Sequence, residues 1–236
     1  MRRLVLIVLL VPFLGPRLNK PGTIAPPPAA PPAFSFAGDV PTDTRQPSVL
    51  LFPMSPCAEA FQLTDATHGV PFDMDGDGTR EMVAWPDDRS DVALLARDTN
   101  GDGAITSGRE LIGSATDPDA RNGCNALLAL FRRTGAEPAG AIHAGHALYD
   151  QLLLWVDRNH DGRSQPDELL KARDRFTAIG LGFFPRDWAD AHGNRIRYEG
   201  WLHARTAGPN QAEATTAEEE RARRGRFFEV TLKTLE

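Results

Sequence analysis

The most constraining feature of this chain is a short pattern that occurs three times: Asp, any residue, Asp or Asn, any residue, Asp, Gly. The copies read DMDGDG (Asp73, Asp75, Asp77, Gly78), DTNGDG (Asp98, Asn100, Asp102, Gly103) and DRNHDG (Asp157, Asn159, Asp161, Gly162). Alternate side chains on a tight turn converge their oxygens on one point. The glycine permits the bend that brings a later backbone carbonyl inward, in the third copy that of Arg163. Six to eight oxygens in loose geometry suit Ca2+. Mg2+ demands a stricter octahedron, and Zn2+ or copper demands His or Cys, which stand at no ligand position here.

The residue that closes each loop differs. In the third copy Glu168 falls at the twelfth position, where a bidentate carboxylate completes a calcium loop. This copy is therefore expected to bind most tightly. In the second copy Arg109 holds the twelfth position and Glu110 the next, which makes Glu110 the expected closing ligand. In the first copy the twelfth position is Ala84, leaving Asp87, Asp88 or Asp91 to complete it from a neighbouring turn. A fourth, degenerate copy keeps Gly135, Glu137, Ala139, Gly140 and Ile142 and lacks most of the acids. It is expected to pair with the third loop. His143 and His146 beside it read as surface histidines.

The rest of the chain supplies context. Met1-Arg2-Arg3 followed by the apolar run Leu4 to Gly15 is too short for a bilayer span and predicts a secretory signal or N-terminal anchor over residues 1–20. A Pro-rich spacer follows over 21–46, then a folded domain over 47–236 with a loose polar loop at 206–224. The net charge of −6 predicts no affinity for nucleic acid. Cys57 and Cys124 are candidates for one disulfide, given export. Strands are predicted at Val70–Phe72, Glu81–Trp85, Val92–Ala96, Ile179–Phe184, Arg195–Leu202 and Phe227–Leu232. Helices are predicted at Asn122–Arg133, Ala144–Val156 and Pro166–Ala172. The sum is an α+β domain of short strands and helices organised around EF-hand-like calcium loops, with one degenerate/active loop pair.

The segments VPFDMDGDGTREMVAW, DVALLARDTNGDGAITSGRELIGSAT, LLLWVDRNHDGRSQPDEL and HGNRIRYEG resemble a bacterial family of exported EF-hand-like calcium proteins. They are similar to the calcium-binding, self-processing module of RTX-type secreted proteins, over roughly residues 62–204. The resemblance implies calcium ligation by Asp73, Asp75, Asp77, Asp98, Asn100, Asp102, Glu110, Asp157, Asn159, Asp161 and Glu168. Such modules cleave an Asp-Pro bond at their start, where this chain reads LLFPMSPCAEAFQLTD. Its one Asp-Pro, Asp117-Pro118, lies elsewhere. With no nucleophile elbow, phosphate loop or HExxH, the expected function is calcium binding for folding or stabilisation, without catalysis, in an exported protein that is extracellular, periplasmic or at the cell surface. The alternatives are calcium-dependent self-processing and a calcium-stabilised adhesion or carbohydrate-binding protein. The sequence identifies no protein or glycan partner.

Overall fold

The computed structural model describes residues 47–54, 61–135, 140–205 and 224–235. The signal or anchor, the Pro-rich spacer, Cys57, Glu137, Ala139 and nearly all of the 206–224 loop lie outside the described residues. Cys124 is a buried free thiol.

The domain is built on one antiparallel sheet. Its strands are β1 (Ser48–Pro53), β4 (Val92–Ala96), β5 (Ala141–His143), β6 (Leu153–Trp155), β7 (Leu169–Lys171), β8 (Phe176–Ala189), β9 (Arg195–Ala204) and β10 (Arg224–Thr231), in the order β5-β8-β9-β10-β1-β4-β6-β7. A second, three-stranded sheet joins β2 (Val70–Phe72), β3 (Glu81–Val83) and β11 (Thr234–Leu235). Register shifts within the long β8–β9 pair bend that end of the large sheet.

Both faces of the large sheet are covered, and the side-chain period of two divides its strands between two cores. Leu50 and Phe52 of β1, Ala93 and Leu95 of β4, and Leu154 of β6 face one core. Val49, Leu51, Val92, Leu94, Ala96 and Trp155 face the other. The first core is capped by α1 (Gly123–Arg133). Asn122 caps that helix by accepting the Asn125 N–H, and Leu127, Leu130 and Phe131 are buried beneath it. The second core holds Met74 and Ile105 from the acidic loops beside Phe72 of β2, Trp155 of β6 and Trp85 just after β3.

This architecture corrects the expected fold. The protein is mainly β, not an α+β domain of helix–loop–helix units. The predicted helix Ala144–Val156 is a 3-10 turn at Tyr149–Gln151 followed by β6. The predicted helix Pro166–Ala172 is β7, with the short α2 (Ala172–Arg175) after it. Leu148, Leu152 and Trp155 fit helical spacing, yet Leu152 and Leu154 enter one core while Leu153 and Trp155 pack on the other. A short run buried on both faces cannot be assigned by periodicity, and sheet pairing decided it. The degenerate fourth copy is not a loop partner either. Its Ile142 lies in β5, opposite Ile179 of β8.

Candidate metal centre

Each of the three acidic loops joins two antiparallel segments as a hairpin connection. The first runs from β2 to β3, with Phe72 opposite Glu81. The second leaves β4 and returns at Glu110, whose carbonyl accepts the Arg97 N–H at 2.7 Å. The third runs from β6 to β7, and the Glu168 carbonyl accepts the Val156 N–H at 3.0 Å. In every case a glutamate stands opposite the residue that precedes the first Asp.

The interior of the loops repeats as closely. The first Asp accepts the N–H of the glycine five residues on: Gly78 to Asp73 at 3.1 Å, Gly103 to Asp98 at 3.0 Å and Gly162 to Asp157 at 2.9 Å. The facing glutamate accepts the N–H of the residue after the first Asp: Met74 to Glu81 at 3.0 Å, Thr99 to Glu110 at 3.3 Å and Arg158 to Glu168 at 2.8 Å. The fourth position of each loop is left-handed: Gly76 (φ 77°), Gly101 (φ 76°) and His160 (φ 56°). Glycine reaches that region without strain. His160 is held there by ring contacts to the carbonyls of Pro86 (3.0 Å) and His68 (3.2 Å).

By this equivalence the closing acid of the first loop is Glu81. Asp87, Asp88 and Asp91, the candidates from sequence, are not in the group; Asp87 instead caps its own turn by accepting the Arg89 N–H. Glu81 escaped the sequence reading because its loop is shorter than twelve residues. The legible signal is an acid eight residues after the first Asp, at the start of a β-leaning run.

Two groups of carboxylates are gathered closely enough to hold a metal ion: Asp73, Asp75 and Glu81, and Asp98, Asp102 and Glu110, each with ligand atoms within 4.8 Å of one another. Asp77 stands outside the first group and accepts the Thr79 N–H at 2.6 Å. Asn100 bridges to Asp102 through Nδ2 at 2.9 Å, as Asn159 does to Asp161. The third loop is arranged alike, but among the described residues Asp157, Asp161 and Glu168 do not form such a group. Indole donors occupy two of its acids: Trp85 Nε1 meets Asp157 at 2.8 Å and Trp155 Nε1 meets Glu168 at 3.3 Å. Arg163 is exposed, and its N–H donates to Asp161 at 2.8 Å. Burial pushes the Asp157 carboxyl above its usual range, as it does Glu81.

The three loops form one continuous layer. The Gly108 N–H donates to the Asp73 carbonyl at 2.7 Å, and a Cβ on Gly108 would lie 1.8 Å from the Met74 oxygen. Arg109, at the twelfth position of the second loop, turns away from it and covers Gly76 of the first. The second and third loops meet at their eighth positions, where the Ile105 N–H donates to Ser164 Oγ at 2.6 Å. The third loop's partner is therefore the second loop rather than the degenerate copy.

Oxygen-only donors, carboxylates gathered without a balancing cation and turns already shaped around them fit a hard divalent ion better than a soft one. The chain belongs to the SPM-domain family, whose model matches residues 58–215. It is also similar to the iron-regulated protein FrpA of Neisseria meningitidis serogroup C. The two are 36% identical over 105 residues, which make up 43% of this chain and 9% of that protein. The chain thus matches a small part of a much longer relative. No helix of the described residues is long and apolar enough to cross a membrane.

Proposed function

We propose that this protein is an exported calcium-binding module in which the ions hold the acidic-loop layer together, without catalysis of its own. The observation that carries the reading is the repeated cradle. In three hairpin loops the first Asp and the facing Glu receive the equivalent backbone N–H groups, and in the first two loops the carboxylates converge. Asp73, Asp75 and Glu81 serve the first loop, with Asp77 at its rim. Asp98, Asn100, Asp102 and Glu110 serve the second. Asp157, Asn159, Asp161, Glu168 and the Arg163 carbonyl serve the third. The better-gathered first and second loops bind more tightly than the third.

Self-processing at Asp117-Pro118 is disfavoured. The Asp117 carboxylate is 2% exposed and ion-paired with Arg133 at 2.6 Å, so it is poorly placed to attack its own peptide bond. Calorimetric titration of the chain with Ca2+ tests the proposal. Two or three sites with little response to Mg2+ are expected, and the absence of calcium heat would refute it. A gel of the same sample should show a single intact band.

A further inference from the structure

Away from the acidic loops, the tip of the β8–β9 hairpin and the segment 61–68 enclose a cleft of about 600 Å³, a size common for small-ligand sites. The cleft is held open by bonded walls. Asn194, fully buried, donates through Nδ2 to the Thr64 carbonyl at 3.0 Å and accepts the Lys233 N–H at 3.0 Å. The Asp87 N–H donates to the Gln62 carbonyl at 2.9 Å, and the Thr64 N–H to the Trp85 carbonyl at 2.9 Å.

The lining is mixed in an informative way. Phe61, Leu63, Ala191 and Ile196 are its apolar residues beside Trp188. Trp188 is 48% exposed, one of just two large apolar side chains exposed among the described residues. An indole left in water on a strand is a face to which a ligand can add contact. The carboxylates of Asp65, Asp87 and Asp190 are each pre-oriented by a backbone N–H: His68 to Asp65 at 2.9 Å, Arg89 to Asp87 at 3.0 Å and His192 to Asp190 at 2.9 Å. His68 and His192 also line the cleft, and the His68 ring meets Asp65 through Nδ1 at 2.9 Å, leaving its Nε2 for a ligand. No Lys or Arg is among the described lining residues, and Arg89 behind Asp87 is already paired with Asp87 and Asp88, so an anionic ligand meets carboxylates first.

We propose that this cleft is a subsite for a neutral oligosaccharide, with a pyranose C–H face on Trp188 and its hydroxyls on the rim. A hydroxyl both donates and accepts, so it uses carboxylate acceptors and imidazole nitrogens together. A guanidinium or ammonium group would use the acceptors alone. No lining residue belongs to the three acidic loops, so the proposal stands independently of calcium binding there.

The test uses the full chain in millimolar Ca2+ and five probes: chitotriose, cellotriose, maltotriose, trigalacturonic acid and arginine methyl ester. Saturation-transfer NMR and indole fluorescence report binding. At least one neutral trisaccharide should bind, and Trp188→Ala should weaken it roughly tenfold or more. Because Trp188 is half exposed, the variant should keep the parent's melting temperature; Asp87→Asn, which keeps the side chain's shape, provides a second variant expected to weaken binding severalfold. The proposal is overturned if no neutral trisaccharide binds, if binding survives both substitutions, or if galacturonate or the arginine ester is the probe that binds.

Discussion

The two faces of the large sheet hold carboxylates in opposite ways. On the loop face, acids crowd together at the edge of solvent, and backbone N–H groups receive part of their charge. On the helix face, Glu229 of β10 stands alone. It is wholly buried, opposite Leu50 and Tyr198, and neither carboxylate oxygen has a hydrogen-bond partner of good geometry. Burial pushes its carboxyl up to about 7, against the weaker pull of the Ser48 hydroxyl, the Arg197 charge and the Gly123 N–H. One face accumulates negative charge that a cation can satisfy. The other tolerates an acid by keeping its proton. A lone buried carboxyl therefore responds to pH, whereas a gathered group responds to metal.

The sharpest test of this contrast is removal of metal. If each site is filled to about a hundred times its dissociation constant, binding stabilises the fold by about 2.7 kcal/mol per site. Two or three sites should then raise the melting temperature by roughly 10–30 °C between chelator and millimolar Ca2+. Calorimetric melts in the two buffers check this, and coincident melts would erase the distinction between the faces.

The helix face should give the next largest effect. The folded chain keeps the Glu229 proton above the pH at which the unfolded chain loses it, near 4.5. Its stabilising effect is therefore intact below about 4.5 and is lost as pH rises through about 7, by on the order of 3 kcal/mol. Glu229→Gln should abolish that part of the pH dependence and leave the calcium shift in place. Urea unfolding between pH 4 and 8 is the measurement, and a parent-like slope in the variant would contradict it.

Within the loop face, Glu110→Gln and Glu168→Gln separate a gathered group from one shared with tryptophans. Loss of Glu110 should weaken calcium binding by roughly ten- to a hundredfold, about 1–3 kcal/mol. Loss of Glu168 should affect affinity less, because one of its oxygens already receives the Trp155 indole. Calorimetry beside urea melts ranks them, and a reversed order would restore the third loop as the tightest.

The smallest effect expected is that of Trp155→Phe. It removes the long 3.3 Å bond to Glu168 and should cost about 1 kcal/mol in the metal-free state. By leaving that Glu168 oxygen with the Gln165 N–H alone, it should raise third-loop affinity a few fold, readable in the same titrations.

Much of the site was legible from spacing, and less of the fold was. The first Asp of each loop keeps the same bond to the glycine five residues on, and Glu110 and Glu168 keep the same bond to the residue after it, because the Asp-to-Gly turn repeats its geometry. The predicted strands Val70–Phe72 and Val92–Ala96 match β2 and β4, and Asn122–Arg133 matches α1 with its cap. The misassigned segments flank the third loop. There a helical pattern and a strand buried on both faces look alike in one dimension, and only the partners β4 and β7 distinguish them. Glu81 was hidden for a related reason. Its role follows from facing Phe72 across a hairpin rather than from its count along the chain.

Gly108 carries a final consequence. Its backbone rests on that of Asp73 and Met74 so closely that no side chain fits between them. The first and second loops thus share a wall, and ordering one restrains the other. In the proposed reading the two sites fill as a pair, with a Hill coefficient above one. Such a module would assemble over a narrow interval of calcium concentration, as a threshold detector rather than a graded one.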